Sequence, residues 1–294
     1  MDVHTALRGI TCPIVTPFDG GRLDENALAN LVDHLEGGGI DALFPCGTTG
    51  EFPSLAPAER LEVIERTVEY ADVPVVAGAG ATSVSETIDA VEKAAAVCAD
   101  AAAIVAPYFT TANDPAGNRR FFEAVLEEVP VPVLLYNIPQ CTGRRIEPET
   151  VIALADREDV LGIKDSSGDF AYFLSVLERT PDAFLCLQGY DALFLPSLRM
   201  GADGGINALT QVVPEAFREI ADDPGSDRAR ELQAEAITPL FEACTAYDFA
   251  PGTKAALVER GVVPSDDVRP PLVAVDDRDP IADAVERALA ATDP

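Results

Sequence analysis

Lys164 is the residue whose type and position most directly indicate chemistry. The sequence contains only three lysines, and Lys164 follows the apolar run of residues 160–163 in the segment EDVLGIKDSSGD. Such a run predicts a buried strand, so the lysine at its end would be largely desolvated. A desolvated lysine loses affinity for its proton, and a neutral amine attacks carbonyl carbons to form a Schiff base. The alternative is a structural cation that pairs with Asp165 or Asp169.

A phenol and two hydroxyls follow other apolar runs in the same way. Tyr136 ends the run of residues 131–136, and a phenol close to a Schiff-base nitrogen can shuttle protons to and from the reacting atoms. Thr48 and Thr49 lie in the segment GTTGE, where they could hold the tyrosine and bind a substrate carboxylate. The flanking glycines allow backbone N–H groups to turn inward. The alternatives are a tyrosine packed in the core and an ordinary surface loop.

These residues belong to a repeating pattern of apolar runs and helical stretches. Eight continuously apolar runs, each followed by an amphipathic stretch, favour a parallel sheet covered by helices. Eight such units close into a (β/α)8 TIM barrel, in which functional residues lie at the carboxyl ends of the strands. A doubly wound open sheet is the alternative, but the first run leads into TPFDGGRLDE, without a glycine-rich phosphate motif. The predicted strands span residues 10–15, 42–46, 73–77, 102–106, 131–136, 160–164, 184–187 and 204–207.

The alternation of strands and helices ends near residue 224. Residues 1–224 are therefore predicted to form the barrel catalytic domain, and residues 225–294 a C-terminal helical extension packed on it. Within the barrel, Ser83 and Asp169 stand where they would cap the starts of two helices. The predicted barrel helices span residues 24–37, 57–70, 83–98, 115–128, 147–156, 169–179, 190–200 and 211–221.

The charge balance excludes several classes of partner. The chain has 50 acidic and 21 basic residues, a formal net charge of −29, which repels nucleic acids and anionic membranes. Scattered acids with few lysines suggest adaptation to high intracellular salt, the alternative being an ordinary acidic enzyme. No apolar run is long enough to span a membrane, and the N-terminus does not resemble a secretory signal. We expect a soluble cytoplasmic protein.

The cysteines and histidines do not predict a metal site. The six cysteines are widely spaced, without a CxxC pair, and most fall in apolar runs, where a free cysteine behaves as a small hydrophobe. His4 and His34 are the only histidines, which leaves little with which to build a histidine-based catalytic triad.

Taken together, the motifs resemble the dihydrodipicolinate synthase and N-acetylneuraminate lyase family of pyruvate-dependent class I aldolases. The segments PIVTPF, GTTGE, PYF, YNIP, GIKDSSGD and GADGGI occur in the family's order over nearly the whole chain. The resemblance implies that Lys164 forms the Schiff base with pyruvate or another 2-keto acid and that Tyr136 is the general acid and base. It implies no metal or organic cofactor, and it suggests a homotetramer built as a dimer of dimers. The predicted substrate-binding residues are Thr48, Thr49, Ser166, Gly189 and Ile206.

Three departures from the family's patterns bear on the substrate. Cys141 stands where the lysine-pathway synthases usually have an arginine that binds aspartate semialdehyde, although Arg144 and Arg145 lie just beyond it. Phe109 replaces a tyrosine that those synthases contribute across the dimer. Ala192 replaces an acidic residue of the sialic-acid lyases.

These departures favour an aldolase of 2-keto-3-deoxy sugar acids, in which Ser166 could bond a sugar hydroxyl. It would cleave 2-keto-3-deoxygluconate, or its 6-phosphate bound through Arg144 or Arg145, to pyruvate and glyceraldehyde or its 3-phosphate. The alternatives within the family are 4-hydroxy-tetrahydrodipicolinate synthase and a keto-deoxy-acid dehydratase that uses the same iminium. A catalytically silent binding protein on this fold is the alternative from a different class.

Overall fold

Eight parallel strands form the centre of the molecule in a computed structural model, which describes residues 2–292. Each strand is short and consists of buried residues, as expected for a sheet covered by helices. The strands are β1 (Ile10–Pro13), β2 (Ala42–Phe44), β3 (Val76–Gly78), β4 (Ala101–Val105), β5 (Val133–Asn137), β6 (Val160–Asp165), β7 (Leu185–Gln188) and β8 (Gly204–Ile206).

The sheet curls into a barrel. Neighbouring strands pair in the order β2-β1-β8-β7-β6-β5-β4-β3, and a parallel bridge between Leu43 and Val75 joins the two ends. The backbone N–H of Gly78 adds a 2.9 Å hydrogen bond to the carbonyl of Pro45 at the same seam. The (β/α)8 barrel predicted from the sequence is therefore confirmed. The register places Tyr136 of β5 directly beside Lys164 of β6.

Helices follow the strands and cover the outside of the barrel. Ser83 and Asp169 cap two of them as predicted, since their side chains accept hydrogen bonds from the backbone N–H groups of Glu86 and Tyr172. None of the described helices is long and apolar enough to cross a membrane. Up to residue 222 the helices are α1 (Val3–Ala6), α2 (Glu25–Gly37), α3 (Pro57–Tyr70), α4 (Val84–Ala96), α5 (Pro115–Leu126), α6 (Pro139–Thr142), α7 (Pro148–Leu154), α8 (Phe170–Leu177), α9 (Phe194–Arg199) and α10 (Pro214–Asp222).

The structure differs from the sequence-based prediction mainly at the ends of elements. The predicted helix 190–200 begins as a 3-10 turn over Asp191–Leu193 and becomes α-helical only at Phe194. A small hairpin, Phe18–Asp19 with Arg22–Leu23, was not predicted because two-residue strands are too short to show a period.

The C-terminal residues form a helical layer that shares the hydrophobic core of the barrel. Buried Leu232, Leu240 and Ile281 belong to one apolar cluster with Ile10 and Phe217. The proposed boundary at residue 224 falls between α10 and the first helix of this layer. The layer contains α11 (Asp227–Leu232), a π-helical turn (Gln233–Ile237), α12 (Thr238–Thr245), α13 (Phe249–Glu259) and α14 (Asp279–Thr292).

Candidate active site

A cavity of about 320 Å³ opens at the carboxyl ends of the strands. All seven residues predicted from the sequence line this one cavity, although they come from five different strand ends. The seven are Thr48, Thr49, Tyr136, Lys164, Ser166, Gly189 and Ile206. The structure thus brings the predicted residues together; their chemical roles stay predictions.

Lys164 is buried among aromatic rings near the end of β6. Its side chain is 3% exposed, and its Nζ lies 4.2 Å from the ring centre of Tyr136 and 4.8 Å from that of Phe44. Within residues 2–292, no carboxylate lies within 4.0 Å of this nitrogen. Burial lowers the pKa of Lys164 to about 7, against the opposing charge of Asp191. A large fraction of the amine is therefore neutral near neutral pH.

The two acids considered as structural partners of Lys164 bind other groups. Asp165 accepts a 2.7 Å hydrogen bond from the side-chain amide of Asn137 and others from Ser167. Asp169 caps α8 and forms an ion pair with Arg145 at 3.4 Å. The sequence-based alternative, a lysine held as a structural cation by Asp165 or Asp169, is wrong for this structure.

Tyr136 presents its hydroxyl to the same cavity. The phenol oxygen lies 3.2 Å from Oγ1 of Thr48, within hydrogen-bond distance. Burial raises the pKa of Tyr136 to about 12, although the hydrogen bond to Thr48 works against this shift. The phenol is therefore protonated at neutral pH and starts any reaction as a proton donor.

The loop that carries Thr48 and Thr49 is held in a tight conformation after β2. Glu51, at its end, has a left-handed backbone with φ of 57°. The carbonyl of Gly50 accepts a 2.8 Å hydrogen bond from the Thr16 hydroxyl. A Cβ on Gly50 would lie 3.0 Å from the carbonyl oxygen of Ile14, so the close approach of two backbone segments favours glycine here.

Ser166 and Gly189 meet on the opposite wall of the cavity. The Ser166 hydroxyl donates a 3.1 Å hydrogen bond to the carbonyl of Gly189. A Cβ on Gly189 would lie 2.2 Å from that hydroxyl oxygen and 2.9 Å from Cε of Lys164. Glycine at position 189 therefore leaves room for the lysine side chain and for whatever binds to it.

Asp191 is a cavity residue to which the sequence analysis gave no role. Its side chain is 1% exposed, and one carboxylate oxygen accepts a 2.8 Å hydrogen bond from the backbone N–H of Leu209. Burial raises the pKa of Asp191 to about 6. Among the charges that oppose the lowering of the Lys164 pKa, that of Asp191 has the largest effect.

The C-terminal layer also contributes to the cavity, which the sequence analysis did not anticipate. Nothing in the spacing of these residues signals a site, because they lie on helices and a turn without a strand end nearby. Asp248 lies at the start of α13 with φ of 71°, an uncommon conformation for a residue with a side chain. The contributing residues are Phe241, Thr245, Asp248 and Phe249.

The two arginines considered as anion-binding groups do not line the cavity. Arg144 donates to the carbonyl of Ala112 at 2.5 Å and pairs with Glu147, whereas Arg145 pairs with Asp169. Among residues 2–292, Lys164 is the only lysine or arginine in the lining, which does include Cys141. The part of the cavity beyond Lys164 therefore offers hydroxyl, aromatic and carboxylate groups but no cation.

Outside this lining, the exposure of Phe109 and the spacing of possible metal ligands bear on the site. The side chain of Phe109 is fully exposed in the single chain, on a residue with φ of 70°. Within the described part of the chain, no three histidine, cysteine or acidic side chains are grouped so that they could hold a metal ion.

The structure is a (β/α)8 barrel with a buried lysine in its cavity, and comparison with known proteins shows the family to which it belongs. Residues 6–291 match the model of the dihydrodipicolinate synthetase family. The chain belongs to this family of pyruvate-dependent lyases and synthases, whose members act on small keto acids.

The curated relatives that resemble the chain share one name. The 4-hydroxy-tetrahydrodipicolinate synthase of Methanothrix thermoacetophila is 36% identical, over 87% of this chain and 84% of that protein. That of Natronomonas pharaonis is 37% identical, over 79% of this chain and 81% of that protein.

Solved structures that superpose on the chain carry two different names. A monomeric dihydrodipicolinate synthase variant superposes with a TM-score of 0.91 at 29% identity, covering 99% of both chains. The 2-keto-3-deoxygluconate aldolase of Picrophilus torridus has a TM-score of 0.85 at 30% identity, covering 91% of this chain and 97% of that one. The likeness fixes the family, and the substrate has to be argued from the cavity.

Proposed function

We propose that the protein is a Schiff-base aldolase that cleaves a 2-keto-3-deoxy sugar acid such as 2-keto-3-deoxygluconate to pyruvate and glyceraldehyde. The observation that carries this proposal is Lys164, a buried amine that lies beside the phenol of Tyr136 and has no ion-pair partner among residues 2–292. A lysine in such surroundings is a nucleophile toward carbonyl groups.

The first half of the reaction joins the substrate to Lys164. The neutral Nζ adds to the C2 carbonyl of the keto acid, and the resulting carbinolamine loses water to give an iminium. Tyr136, protonated at rest because burial raises its pKa to about 12, donates its proton to the departing hydroxyl. Thr48 and Thr49 hold the substrate carboxylate at the rim of the loop.

The second half breaks the carbon–carbon bond. The phenolate of Tyr136 accepts the proton of the C4 hydroxyl, the C3–C4 bond breaks, and its electron pair flows into the iminium to form an enamine. The aldehyde leaves; protonation of the enamine at C3 and addition of water then release pyruvate and the free amine. The hydroxyl of Thr48, 3.2 Å from the phenol, stabilises the phenolate between the two steps.

The cation-free lining supports an uncharged aldehyde as the second product. Glyceraldehyde needs hydrogen-bonding groups, which Ser166, Thr245 and Asp248 supply. A phosphate or a second carboxylate would be desolvated near Asp191 and Asp248 without a compensating cation. The same argument favours the unphosphorylated sugar acid over its 6-phosphate, since Arg144 and Arg145 are engaged elsewhere.

The second candidate is 4-hydroxy-tetrahydrodipicolinate synthase, which condenses pyruvate with aspartate semialdehyde. The names of the relatives favour it, because the Methanothrix and Natronomonas proteins both carry it. Aspartate semialdehyde bears an ammonium group, which a carboxylate such as Asp248 could bind. Its carboxylate is the difficulty, since Cys141 offers that anion no charge.

Borohydride trapping tests the shared chemistry first. The protein is incubated with pyruvate and borohydride in concentrated KCl, and the adduct is located by intact mass and peptide mapping. We expect one pyruvate-derived adduct on Lys164, with the peptides of Lys93 and Lys254 unmodified as internal controls. An enzyme that gives no adduct in high or low salt would contradict the Schiff-base proposal and favour a binding protein.

Substrate competition then separates the two candidates. Pyruvate release is measured from 2-keto-3-deoxygluconate and from its 6-phosphate, and pyruvate consumption is measured with aspartate semialdehyde. We expect the highest kcat/KM for the unphosphorylated sugar acid. A preference for aspartate semialdehyde would assign the protein to the synthases that its relatives are named for.

Two further proposals concern the assembly of the protein and its adaptation to salt. We propose a homotetramer on the family resemblance, although one superposable structure is a monomeric variant. We propose adaptation to high salt on the net charge of −29, because self-repulsion of that size destabilises a compact state unless salt screens it. Light scattering and thermal unfolding across a range of KCl concentrations test both proposals.

A further inference from the structure

A second lysine, Lys254, is buried against the loop that carries Thr48 and Thr49 and does not line the cavity. It lies on α13, is 1% exposed, and forms an ion pair with Glu51 of that loop. Its Nζ also donates a 2.6 Å hydrogen bond to the carbonyl of Asp267 and lies 4.1 Å from the ring centre of Phe18. The C-terminal layer therefore contacts the loop through the buried, charged side chain of Lys254.

Glu51 is the point at which the loop receives these contacts. Its carboxylate accepts a 2.8 Å hydrogen bond from the backbone N–H of Arg269, in addition to pairing with Lys254. Its own backbone N–H donates to the carbonyl of Thr48 at 3.1 Å. One buried carboxylate thus joins the substrate-facing threonine turn to two separate segments of the C-terminal layer.

The segment that supplies Arg269 is itself fixed to the barrel. The guanidinium of Arg269 makes two 2.7 Å hydrogen bonds to the carboxylate of Glu59 near the start of α3, and a third of 2.7 Å to the carbonyl of Gly21. The segment that contacts Glu51 is thus itself bonded to the barrel. It can therefore restrict the movement of the threonine loop.

A buried ion pair is a poor source of stability, because the cost of desolvating both charges offsets their attraction. In this pair each partner is held by a further contact, Lys254 by the carbonyl of Asp267 and Glu51 by the backbone N–H of Arg269. The pair here lies three residues along the chain from Thr48, whose hydroxyl contacts the phenol of Tyr136. A change in the position of Glu51 would therefore displace the threonine turn and the hydroxyl group that contacts the phenol of Tyr136.

We propose that Lys254 and Glu51 are positioning residues that hold the Thr48–Thr49 loop in the conformation that binds the carboxylate of the keto acid. The C-terminal layer is then a working part of the active site and not only a cover of the barrel. This inference rests on the proposed function, in which the loop holds that carboxylate.

The test compares two variants with a matched control. Lys254→Met removes the cation, and the double variant Lys254→Met with Glu51→Gln removes both charges, so that no uncompensated charge stays buried. Lys93→Met is the control, because Lys93 forms an exposed ion pair with Asp89 outside the cavity lining. Borohydride trapping is titrated with pyruvate and with hydroxyacetone, a ketone that lacks the carboxylate.

We expect the half-saturating pyruvate concentration to rise about tenfold or more in both variants, as for the loss of one charge-assisted contact. Trapping of hydroxyacetone should change less than twofold, and the control should match the wild type with both ketones. Thermal unfolding shows whether each variant is folded, and the double variant keeps the test decisive if the single one is not.

Several results would overturn the inference. Unchanged pyruvate dependence in the double variant would mean that the pair does not position the loop. An equal loss with both ketones would indicate general disruption of the site instead of a carboxylate-specific effect. A wild-type protein that traps no pyruvate would remove the proposed function and this inference with it, a failure distinguishable from the other two.

Discussion

Two lysines of this molecule are almost equally buried, yet their surroundings differ in one respect. Lys164 is 3% exposed and Lys254 is 1% exposed. Lys164 faces the rings of Tyr136 and Phe44, without a carboxylate within 4.0 Å among the described residues. Lys254 contacts the carboxylate of Glu51. Burial is common to both, so the partner decides what each lysine can do.

The electrostatic consequence follows from that partner. Burial is the main cause that lowers the pKa of both lysines, because removal from water disfavours the charged form. For Lys254 the contact with Glu51 opposes this effect most strongly, whereas for Lys164 the main opposing group is Asp191, which does not contact it. The unpaired lysine is therefore available as a nucleophile, and the paired one is suited to hold a structure in place.

The largest expected effect comes from removal of the unpaired lysine. Lys164→Met should lower turnover of the 2-keto acid by about 10⁴-fold or more, because it deletes the proposed nucleophile of the covalent intermediate. Turnover and trapping of pyruvate are the measurements. If Lys164→Met kept trapping pyruvate on another residue, the distinction between the two lysines would be lost.

Removal of the paired lysine should have the next largest effect, and on stability. Lys254→Met leaves the buried carboxylate of Glu51 without its cation, which costs about 3–5 kcal/mol. Lys164→Met should not destabilise the fold, since it replaces an unpaired buried amine by an apolar chain of similar length. Urea unfolding of both variants in concentrated KCl measures the difference. Equal destabilisation by the two substitutions would contradict the comparison.

The position of Lys164 in the cavity could be predicted from the sequence, because a local pattern is sufficient to locate it. An apolar run that ends in a lysine places that lysine at the carboxyl end of a strand whatever the neighbouring strands do. The same reasoning locates Tyr136 and the two threonines at the same face of the barrel, since parallel strands in a barrel all end on one side. These predictions depend on the barrel fold but not on how individual side chains pack.

The partners of the two lysines could not be predicted in this way. Glu51 and Lys254 are about two hundred residues apart in the chain, and no periodicity connects a loop after β2 with a helix of the C-terminal layer. The contribution of Asp248 to the cavity depends on the same tertiary packing. Arg144 and Arg145 were considered as anion-binding groups because of their position in the chain. In the structure their side chains are oriented by neighbouring carboxylates and carbonyls, which the sequence does not show to be near them.

The pH dependence should show the unpaired character of Lys164. Because its pKa is lowered to about 7, trapping at limiting pyruvate should rise about tenfold per pH unit below that value and level off above it. The unfolded chain takes up this proton at its ordinary, higher pKa, so burial of Lys164 costs most stability below about pH 7. The stability difference between Lys164→Met and the wild type should therefore shrink as the pH rises from about 7 toward 10.5. A rate that levels off only near the ordinary pKa of lysine would contradict this prediction.

The smallest effect is expected at Lys93, which completes the comparison because it is paired but exposed. Its ion pair with Asp89 is 2.7 Å long, and both side chains are at least half exposed. An exposed pair four residues apart on a helix contributes only about 0.3–0.5 kcal/mol, because water screens the attraction. Lys93→Met should therefore leave unfolding and pyruvate trapping nearly unchanged. A loss as large as that of Lys254→Met would mean that pairing matters without burial, and the contrast between Lys164 and Lys254 would then need another cause.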